Sequence, residues 1–512
     1  MLLSTFPIRT LGTARHLPPT LSRQVLAGLA GLAPKAVIVI RPRTCFSTNA
    51  TDAFGAKDQQ SASGQSRSKS IAIGSLTAAT AVSALVYFLK SRTSTEPTTL
   101  SNVPLSSLSA QDQYIHSTLT QHAQIHAHPA LKAQIHSTYV ASNNPIEDRL
   151  AITAMPKGKQ LLVSVFDGHA GWQCAHVLKQ WYANYVARIV EMRKYLLGEA
   201  MGVALDEFDA DLMGLPNEAK NMETLGMEID QVREILLPAM AGSVVVSAMI
   251  DETSIHVANA GDSRAVIGRR TSSSPGWTAV PLTIDHNAEN PAEVARLKRE
   301  HPGEEDTVIT DQGRVIRGLN VFRSAGDGRF KWAKDVREWV CGKFVGSEYK
   351  YSRDIPWSLS PPYITAKSEV VRHVLEDGDE FLVMATDGLW EHATNDQVVA
   401  SIGAYLDRNN KSHRDAERAG PDDAKWALQD RNAAAHTIRN AIGGQDSDKV
   451  AHLFKIPHPE SRDHRDDISV VVVFLGKALD KLPGVQGAVQ TVPVADPNKG
   501  KMKVSMEKGL YV

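Results

Sequence analysis

The chain has 512 residues, enough for one large domain or a few small ones, and 42% of them are apolar, as in ordinary globular proteins. Its 56 Lys and Arg residues balance 57 Asp and Glu residues, so the basic field that would indicate a nucleic acid partner is absent. Three scattered cysteines, Cys45, Cys174 and Cys341, give neither a disulfide framework nor the spacing of a metal site.

The N-terminal segment has an unusual composition. Residues 1–50 are rich in Arg, Ser and Thr and contain no Asp or Glu. This pattern is typical of a mitochondrial transit peptide, and we predict one here, with a disordered basic tail as the alternative. Residues 51–70 are polar and rich in Gly, Ser and Gln, which indicates a linker.

An uncharged segment follows at residues 71–89, with two basic residues close to each of its ends. Its length is just sufficient to cross the hydrocarbon core of a bilayer, although its Ala, Thr and Ser content makes it only weakly apolar. We predict a transmembrane helix that would tether the chain to the mitochondrial inner membrane; the alternative is a cleaved or buried apolar helix. Residues 91–110 are rich in Ser, Thr and Pro and indicate a second linker.

Residues 111–476 contain both helical and strand patterns, and we interpret them as one domain. Apolar residues at helical spacing predict helices at 173–197, 292–300, 396–407 and 423–442. Two stretches without a strand pattern, 198–238 and 328–356, are interpreted as insertions. Residues 477–512 show little periodicity and are predicted to be a C-terminal tail.

Residues 116–136 are rich in histidine, and His122 and His126 have the spacing of neighbours on one helix face. No glutamate stands between them as in the His-Glu-x-x-His motif of zinc enzymes. The sequence therefore favours a solvated amphipathic helix over a metal site in this region.

Four apolar runs with a strand pattern carry an aspartate at one tip. The tips are Asp167, Asp262, Asp387 and the pair Asp466 and Asp467. One such tip would be an ordinary turn, but four indicate strand ends that converge on a carboxylate cluster. Clustered carboxylates repel one another and need cations, and oxygen ligands select hard ions such as Mg²⁺ or Mn²⁺. The pattern predicts a metal-dependent hydrolase with two metal ions.

Five short motifs occur in order between residues 140 and 476, and each is weak alone. They span 144–149 (Asn-Pro-Ile-Glu-Asp-Arg), 166–171 (Phe-Asp-Gly-His-Ala-Gly), 259–264 (Asn-Ala-Gly-Asp-Ser-Arg), 385–391 (Ala-Thr-Asp-Gly-Leu-Trp-Glu) and 465–470 (Arg-Asp-Asp-Ile-Ser-Val). This series resembles the metal-dependent Ser/Thr protein phosphatases of type 2C. The first motif, with 322–332 and 361–366, resembles in particular the mitochondrial pyruvate dehydrogenase phosphatase catalytic subunits.

The resemblance implies a four-layer sandwich in which two central antiparallel β-sheets are flanked by α-helices. It also implies a set of metal ligands. Asp167 would bridge two ions and the carbonyl of Gly168 would bind one of them, while Asp387 and Asp466 would bind the second. Asp467 competes with Asp466 for this role, and we favour Asp466 because the family usually has Asn at the second position.

Further roles follow from the same resemblance. Glu147 and Asp148 would act through metal-bound waters, with Asp148 counted among the catalytic residues. His169 is a candidate general acid for the leaving oxygen, with the capping of a turn as the alternative. Asp262 and Glu391 match positions that hold a third ion in some relatives, although Asp262 could instead brace the turn at Gly261.

One position departs from the family pattern. Many members have an arginine four residues before the glutamate of the first motif, where it grips the substrate phosphate. Here that residue is Asn143, which cannot make a charged bidentate contact. We expect another cation, Arg149 or Arg323, to compensate.

The expected function is hydrolysis of phosphoserine or phosphothreonine on mitochondrial proteins by a metal-activated water, with the E1 component of the pyruvate dehydrogenase complex as the leading substrate. The first alternative is a catalytically silent regulatory or binding protein with the phosphatase fold, which the presence of every expected carboxylate disfavours. The second is a metal-dependent phosphoesterase for small molecules or nucleic acid, and the balanced charge disfavours the nucleic acid.

Overall fold

The computed structural model describes residues 108–192, 195–270, 276–345, 358–408, 425–482, 489–505 and 510–511. The predicted transit peptide, the linker at 51–70, the apolar segment at 71–89 and most of the second linker lie outside these residues, so they stay predictions. Within the described part of the chain, no helix combines the length and apolarity needed to cross a bilayer.

The strands are β1 (Gln124–His128), β2 (Ala133–Val140), β3 (Arg149–Ala154), β4 (Leu161–His169), β5 (Gly242–Ile250), β6 (Ser254–Ala260), β7 (Arg264–Arg269), β8 (Thr278–Pro281), β9 (Ala325–Gly326), β10 (Glu369–Val374), β11 (Asp379–Ala385), β12 (Ile468–Leu475), β13 (Gln490–Thr491), β14 (Val504–Ser505) and β15 (Leu510–Tyr511). They form one sheet in the order β13-β1-β2-β12-β11-β7-β8 and a second in the order β10-β6-β5-β4-β3, with β9 paired to β5 and with β14 and β15 as a separate hairpin. Apart from the parallel pair of β1 and β13, the pairings in these sheets are antiparallel.

The helices are α1 (Ala110–Thr120), α2 (Gln173–Glu191), α3 (Leu197–Thr224), α4 (Ile229–Met240), α5 (Pro291–Glu300), α6 (Gly328–Lys331), α7 (Lys334–Phe344), α8 (Asp387–Trp390), α9 (Asn395–Asp407), α10 (Ala433–Ile442) and α11 (Ser447–Lys455). Helices α2, α3 and α4 cover the outer face of the second sheet, and α1, α9, α10 and α11 cover the outer face of the first. The predicted α+β four-layer sandwich is confirmed.

The sequence of strand β12 is apolar except for Ser469, and the structure explains why. All eight of its residues are buried, because each face of the strand packs against a different layer. Val471 and Val473 lie in the core between the two sheets, whereas Val470, Val472 and Phe474 pack beneath the helices. β-Branched residues suit such a pleated surface, and burying each valine stabilises the fold by roughly 1.5–3 kcal/mol.

The predicted helices exist, with changed ends. Helix α9 begins one residue before the predicted start, at a capping box in which Thr394 and Gln397 satisfy each other's backbone N–H groups. The helix predicted at 423–442 begins only at Ala433, because Asn432 caps it by accepting hydrogen bonds from two backbone N–H groups. The described residues of the stretches interpreted as insertions hold α3, α4, α6 and α7 and no strand.

The solvated helix predicted for 116–136 is wrong beyond Thr120. Helix α1 ends there, and β1 and the start of β2 follow. His126 and His128 are buried, whereas their neighbours are exposed or half-buried. Burial that alternates from one residue to the next has the period of a strand and not of a helix. His136 is 1% exposed, and burial lowers its pKa to about 3, so it is neutral.

Part of the segment predicted to be a tail packs against the domain. Strand β13 adds to the edge of the first sheet. On the second sheet, the N–H of Ala154 in β3 donates to the carbonyl of Pro493 at 2.8 Å. Farther on, the N–H of Met502 donates to the hydroxyl of Tyr185 at 3.0 Å, and the Met502 side chain is buried. This segment therefore contacts both sheets.

We predict that truncation after Leu482 lowers the free energy of unfolding by about 2–4 kcal/mol, because it removes the buried Met502 side chain and the backbone bonds to Ala154. Urea denaturation of the truncated and full chains measures the difference. Truncation after Ser505 is the matched control and should have a much smaller effect. Equal stability of the two truncated chains would contradict the prediction.

Candidate active site

The strand topology brings several aspartates to one end of the sandwich. Strands β4 and β6 both run antiparallel to β5, so both end at the same edge of their sheet. Asp167 lies near the end of β4, and Asp262 follows the end of β6. Asp387 follows β11 on the facing sheet, and the carboxylate oxygens of these three residues lie within 4.8 Å of one another. The structure thus brings together three of the predicted ligands.

The electrostatics of this group fit a cation site. Burial raises the pKa of Asp167, and the charges of Asp387, Asp148 and Asp262 raise it further. Burial is also the main cause of the raised pKa values of Asp262, Asp387 and Asp148. Such carboxylates share protons or need positive charge, and a donor set made only of oxygen atoms suits Mg²⁺ or Mn²⁺. The residues present can therefore hold metal ions.

Asp148 lies behind this group, just before β3, where it is 4% exposed. One of its oxygens accepts a hydrogen bond from the hydroxyl of Thr386 at 2.9 Å. That hydroxyl in turn accepts from the N–H of Ser469 at 3.0 Å. Asp148, which stands next to β3 of the second sheet, is thus tied to β11 and β12 of the first sheet, and its charge reaches Asp167 and Asp387.

Gly168 stands where two chain segments touch. A Cβ atom at this position would lie 2.4 Å from the carbonyl oxygen of Glu147, so only glycine allows this approach. Burial raises the pKa of Glu147, while a backbone hydrogen bond from Gly171 opposes the rise. The first motif is therefore held directly against the end of β4.

The pair Asp466 and Asp467 divides into two roles. Asp467 is 2% exposed, and its carboxylate accepts from the N–H groups of Ser142, Asn143 and Glu147 at 2.5, 2.8 and 2.8 Å. The amide of Asn143 adds a fourth bond at 3.0 Å. Asp466 has a more exposed side chain, at 29%, and pairs with Arg462. Asp467 thus organises the first motif, and Asp466 stays the predicted ligand of the two.

His169 is held by an aspartate from a distant part of the chain. Its Nε2 lies 2.8 Å from a carboxylate oxygen of Asp327, which also accepts from the hydroxyl of Ser324 at 2.5 Å. A Cβ atom on Gly242 would lie 2.1 Å from Nε2, so the glycine makes room for the pair. Burial by itself would lower the pKa of His169, but Asp327 outweighs that effect and the pKa is raised.

Glu391 lies at the edge of the site, just after α8. Burial and the charge of Asp387 raise its pKa, and the charge of Arg462 opposes the rise. Neither Glu391 nor Glu147 belongs to the three-carboxylate group, so their predicted part in metal binding stays a prediction.

A second group of potential ligands, His286, Glu293 and Glu369, has the spacing of a metal site but a different chemistry. The Nδ1 atom of His286 accepts from the N–H of Gly261 at 3.1 Å, so the ring proton sits on Nε2 and leaves no lone pair for a metal. Burial by itself would raise the pKa of Glu293, but hydrogen bonds from Arg323 and Arg296 lower this pKa to about 2. The group braces the turn before Asp262.

Sequence reasoning assigned no role to Thr386, Asp327 and Arg462, which also shape the site, and it considered Asp467 only as a competitor of Asp466 for the metal. Asp327 lies 158 residues from its partner His169, and Asp467 lies 325 residues from Ser142. Thr386 lies in the motif at 385–391 and Asp467 in the motif at 465–470, so the motifs could have drawn attention to both residues. Only the folded structure identifies their partners.

We predict that Asp387→Asn stabilises the metal-free protein at alkaline pH. A carboxyl with a raised folded-state pKa contributes stability while protonated and loses it as the pH rises through that pKa. In chelator, wild type should therefore lose more melting temperature than the variant as the pH rises from about 4, the ordinary pKa of an aspartate, to about 8. Added Mn²⁺ should raise the melting temperature of wild type by more than that of the variant.

Asp396→Asn is the matched control, since Asp396 is an exposed acid at the start of α9. It should follow wild type in both measurements. If the Asp387→Asn protein and wild type responded alike to pH and to Mn²⁺, the cluster would not be a cation site.

Comparison with known proteins agrees with this geometry. The sequence profile of the family described as protein phosphatase 2C matches residues 143–450. The human mitochondrial pyruvate dehydrogenase (acetyl-transferring)-phosphatase 2 is 30% identical, over 66% of this chain and 77% of that protein. A protein phosphatase 2C homologue of Schizosaccharomyces pombe is 32% identical, over 65% and 78%. A crystal structure of serine-threonine phosphatase 2C from Toxoplasma gondii aligns with a TM-score of 0.41 at 17% identity, over 69% of this chain and 97% of that one. The chain belongs to the protein phosphatase 2C family and is a protein serine/threonine phosphatase.

Proposed function

We propose that this phosphatase acts in mitochondria and removes phosphate from serine or threonine of the E1 component of the pyruvate dehydrogenase complex. Two lines support the location: the transit peptide composition of residues 1–50 and the mitochondrial designation of the human relative. The substrate follows from the names of relatives that share 30% identity with this chain. The membrane tether at 71–89 is a separate prediction and is not required for this activity.

One observation carries the chemical part of the proposal: the oxygens of Asp167, Asp262 and Asp387, three half-buried residues, lie within 4.8 Å of one another. We assign two Mg²⁺ or Mn²⁺ ions to Asp167, the Gly168 carbonyl, Asp387 and Asp466, with Glu147 acting through water. Asp262 and Glu391 are the candidates for a third ion. Bound ions would offset the charge of the phosphate and lower the pKa of the attacking water.

Asp148 has the position of a second catalytic carboxylate. Thr386 donates a hydrogen bond to one of its oxygens, and we assign the other oxygen to the attacking water. Its burial keeps bulk solvent away from that oxygen. We assign to Asp148 the orientation of the water against the phosphorus atom.

His169 is suited to protonate the leaving oxygen of serine or threonine. Its Nε2 is engaged by Asp327, so the proton for the leaving group comes from Nδ1. The raised pKa favours the protonated ring that a general acid requires, and the side chain is 24% exposed, so a substrate can reach it. Asp327 acts here as a positioning residue.

The alternative is a catalytically silent binding protein with the same fold. Such a protein would keep the core but would not need a buried group of repelling carboxylates, which costs folding free energy without a cation. The complete cluster therefore favours catalysis, and the test of the function separates the two.

The decisive experiment follows phosphate release from phosphoserine peptides of pyruvate dehydrogenase E1 by the full chain. We expect release with Mn²⁺ or Mg²⁺, none in chelator, and a loss of at least about 10²-fold in Asp167→Asn. Phosphopeptides from unrelated proteins are the control for substrate choice. Release from those peptides alone would overturn the E1 assignment, and no release from any peptide would favour the binding protein.

We further predict that His169→Gln lowers kcat on phosphoserine peptides by about 10²–10⁴-fold and leaves KM nearly unchanged. An aryl phosphate has a good leaving group that needs no proton, so its hydrolysis should be affected far less. Asp327→Asn should give the same dependence on the leaving group, with a smaller loss. Equal losses on both substrates would exclude His169 as the general acid.

A further inference from the structure

The substrate phosphate needs a guanidinium that the first motif does not supply. Asn143 stands at the position of the usual arginine, and the structure shows how it is used instead. Its backbone N–H and its side-chain amide both donate to Asp467, at 2.8 and 3.0 Å. The residue is thus part of the loop's own framework and brings no charge to the substrate.

The two arginines that the sequence suggested are already engaged. Arg323 has an 8% exposed side chain, and its guanidinium bonds to Glu293 and to the carbonyl of Lys367. Arg149 donates from Nη1 to the carbonyls of Ile146 and Asp148, both at 2.7 Å. Arg323 is therefore not available to a phosphate, and Arg149 is held in the first motif by its own backbone.

Arg462 is placed differently. It lies on the short 3₁₀ turn Glu460–Asp463, pairs with Asp466 and keeps a 38% exposed side chain. Burial raises the pKa values of Glu147, Asp387 and Glu391, and the positive charge of Arg462 opposes that rise at each of them. Its charge therefore acts on both the first motif and the carboxylate cluster.

The turn that carries Arg462 is joined to the residue that precedes Asn143. The hydroxyl of Ser461 donates to the carbonyl of Ser142 at 2.7 Å, and the hydroxyl of Ser142 donates to the carbonyl of Arg465 at 2.8 Å. Both serines are buried, at 1% and 3% exposed. This reciprocal pair places the turn that carries Arg462 against the segment that contains Asn143, the position that the family usually fills with arginine.

We propose that Arg462 is the guanidinium that binds the substrate phosphate, and that Asp466 holds it until this carboxylate binds a divalent cation. The inference rests on the proposed function, since it assumes a phosphate that enters above the cluster. A planar guanidinium can make two parallel hydrogen bonds to phosphate oxygens, which a lysine cannot reproduce.

This role predicts effects of opposite sign on two ligands. Removal of Arg462 leaves the carboxylates with less compensating charge, so a divalent cation should bind as tightly as before or more tightly. The same change removes a charged contact to phosphate, so phosphate should bind more weakly. A residue that only supported the fold would weaken both ligands together and lower the melting temperature.

The experiment compares Arg462→Gln and Arg462→Lys with wild type in the full chain. Calorimetry measures the binding of Mn²⁺, and then of inorganic phosphate to the Mn²⁺-loaded protein. We expect the phosphate Kd to rise about 10- to 100-fold in Arg462→Gln and less in Arg462→Lys, with the KM for phosphoserine peptide rising in parallel. The Mn²⁺ Kd should stay the same or fall.

Arg299→Gln is the matched control, because it removes an equal charge from the exposed end of α5 and should change neither ligand. An unchanged phosphate Kd in Arg462→Gln, with active wild type, would overturn this inference alone. Parallel weakening of Mn²⁺ and phosphate with a lower melting temperature would overturn it too, as would loss of phosphate binding in Arg149→Gln instead. Inactive wild type would overturn the proposed function itself.

Discussion

The mutual repulsion of half-buried carboxylates is the constraint on which the rest of the structure depends. Asp167, Asp262 and Asp387 come from three strand ends in two sheets, and their oxygens lie within 4.8 Å of one another. Burial makes the charged forms costly, so this arrangement persists only if packing elsewhere holds the strands and cations compensate the charge. The core between the sheets and the helical layers outside them provide that packing.

The acidic residues around this cluster differ in what compensates them. Asp467 has four N–H donors, and Asp327 has a histidine and a hydroxyl. Glu293 has two arginines, which explains why the pKa of this side chain falls although it is buried. The three residues of the cluster lack such partners in sufficient number, and their pKa values rise. What separates the structural acids from the functional ones is therefore the number of donors and cations that offset their charge, and not their position in a motif.

The sequence predicted the features that depend on local patterns. Apolar runs with an aspartate at the tip gave Asp167, Asp262 and Asp387, because a strand's sequence shows both its burial and its end. It failed where a contact joins distant segments, as between His169 and Asp327 or Asp467 and Ser142. The error at His126 and His128 had another cause: a helical spacing was considered where a period of two was also present, and only the pairing of β1 with β2 decides between them.

The loop that contains Asn143 explains why an asparagine fits at a position where many family members have an arginine. An asparagine is short enough for its amide and its N–H to bond to the same carboxylate, so residues 142–147 are fixed by Asp467 without any help from substrate. An arginine would have to extend away from Asp467 to reach a phosphate, and the loop would lose one of its four bonds. Because Ser142 and Ser461 bond to each other's segments, the turn that carries the cation Arg462 adjoins this loop. The loop thus gains rigidity while the turn retains the positive charge.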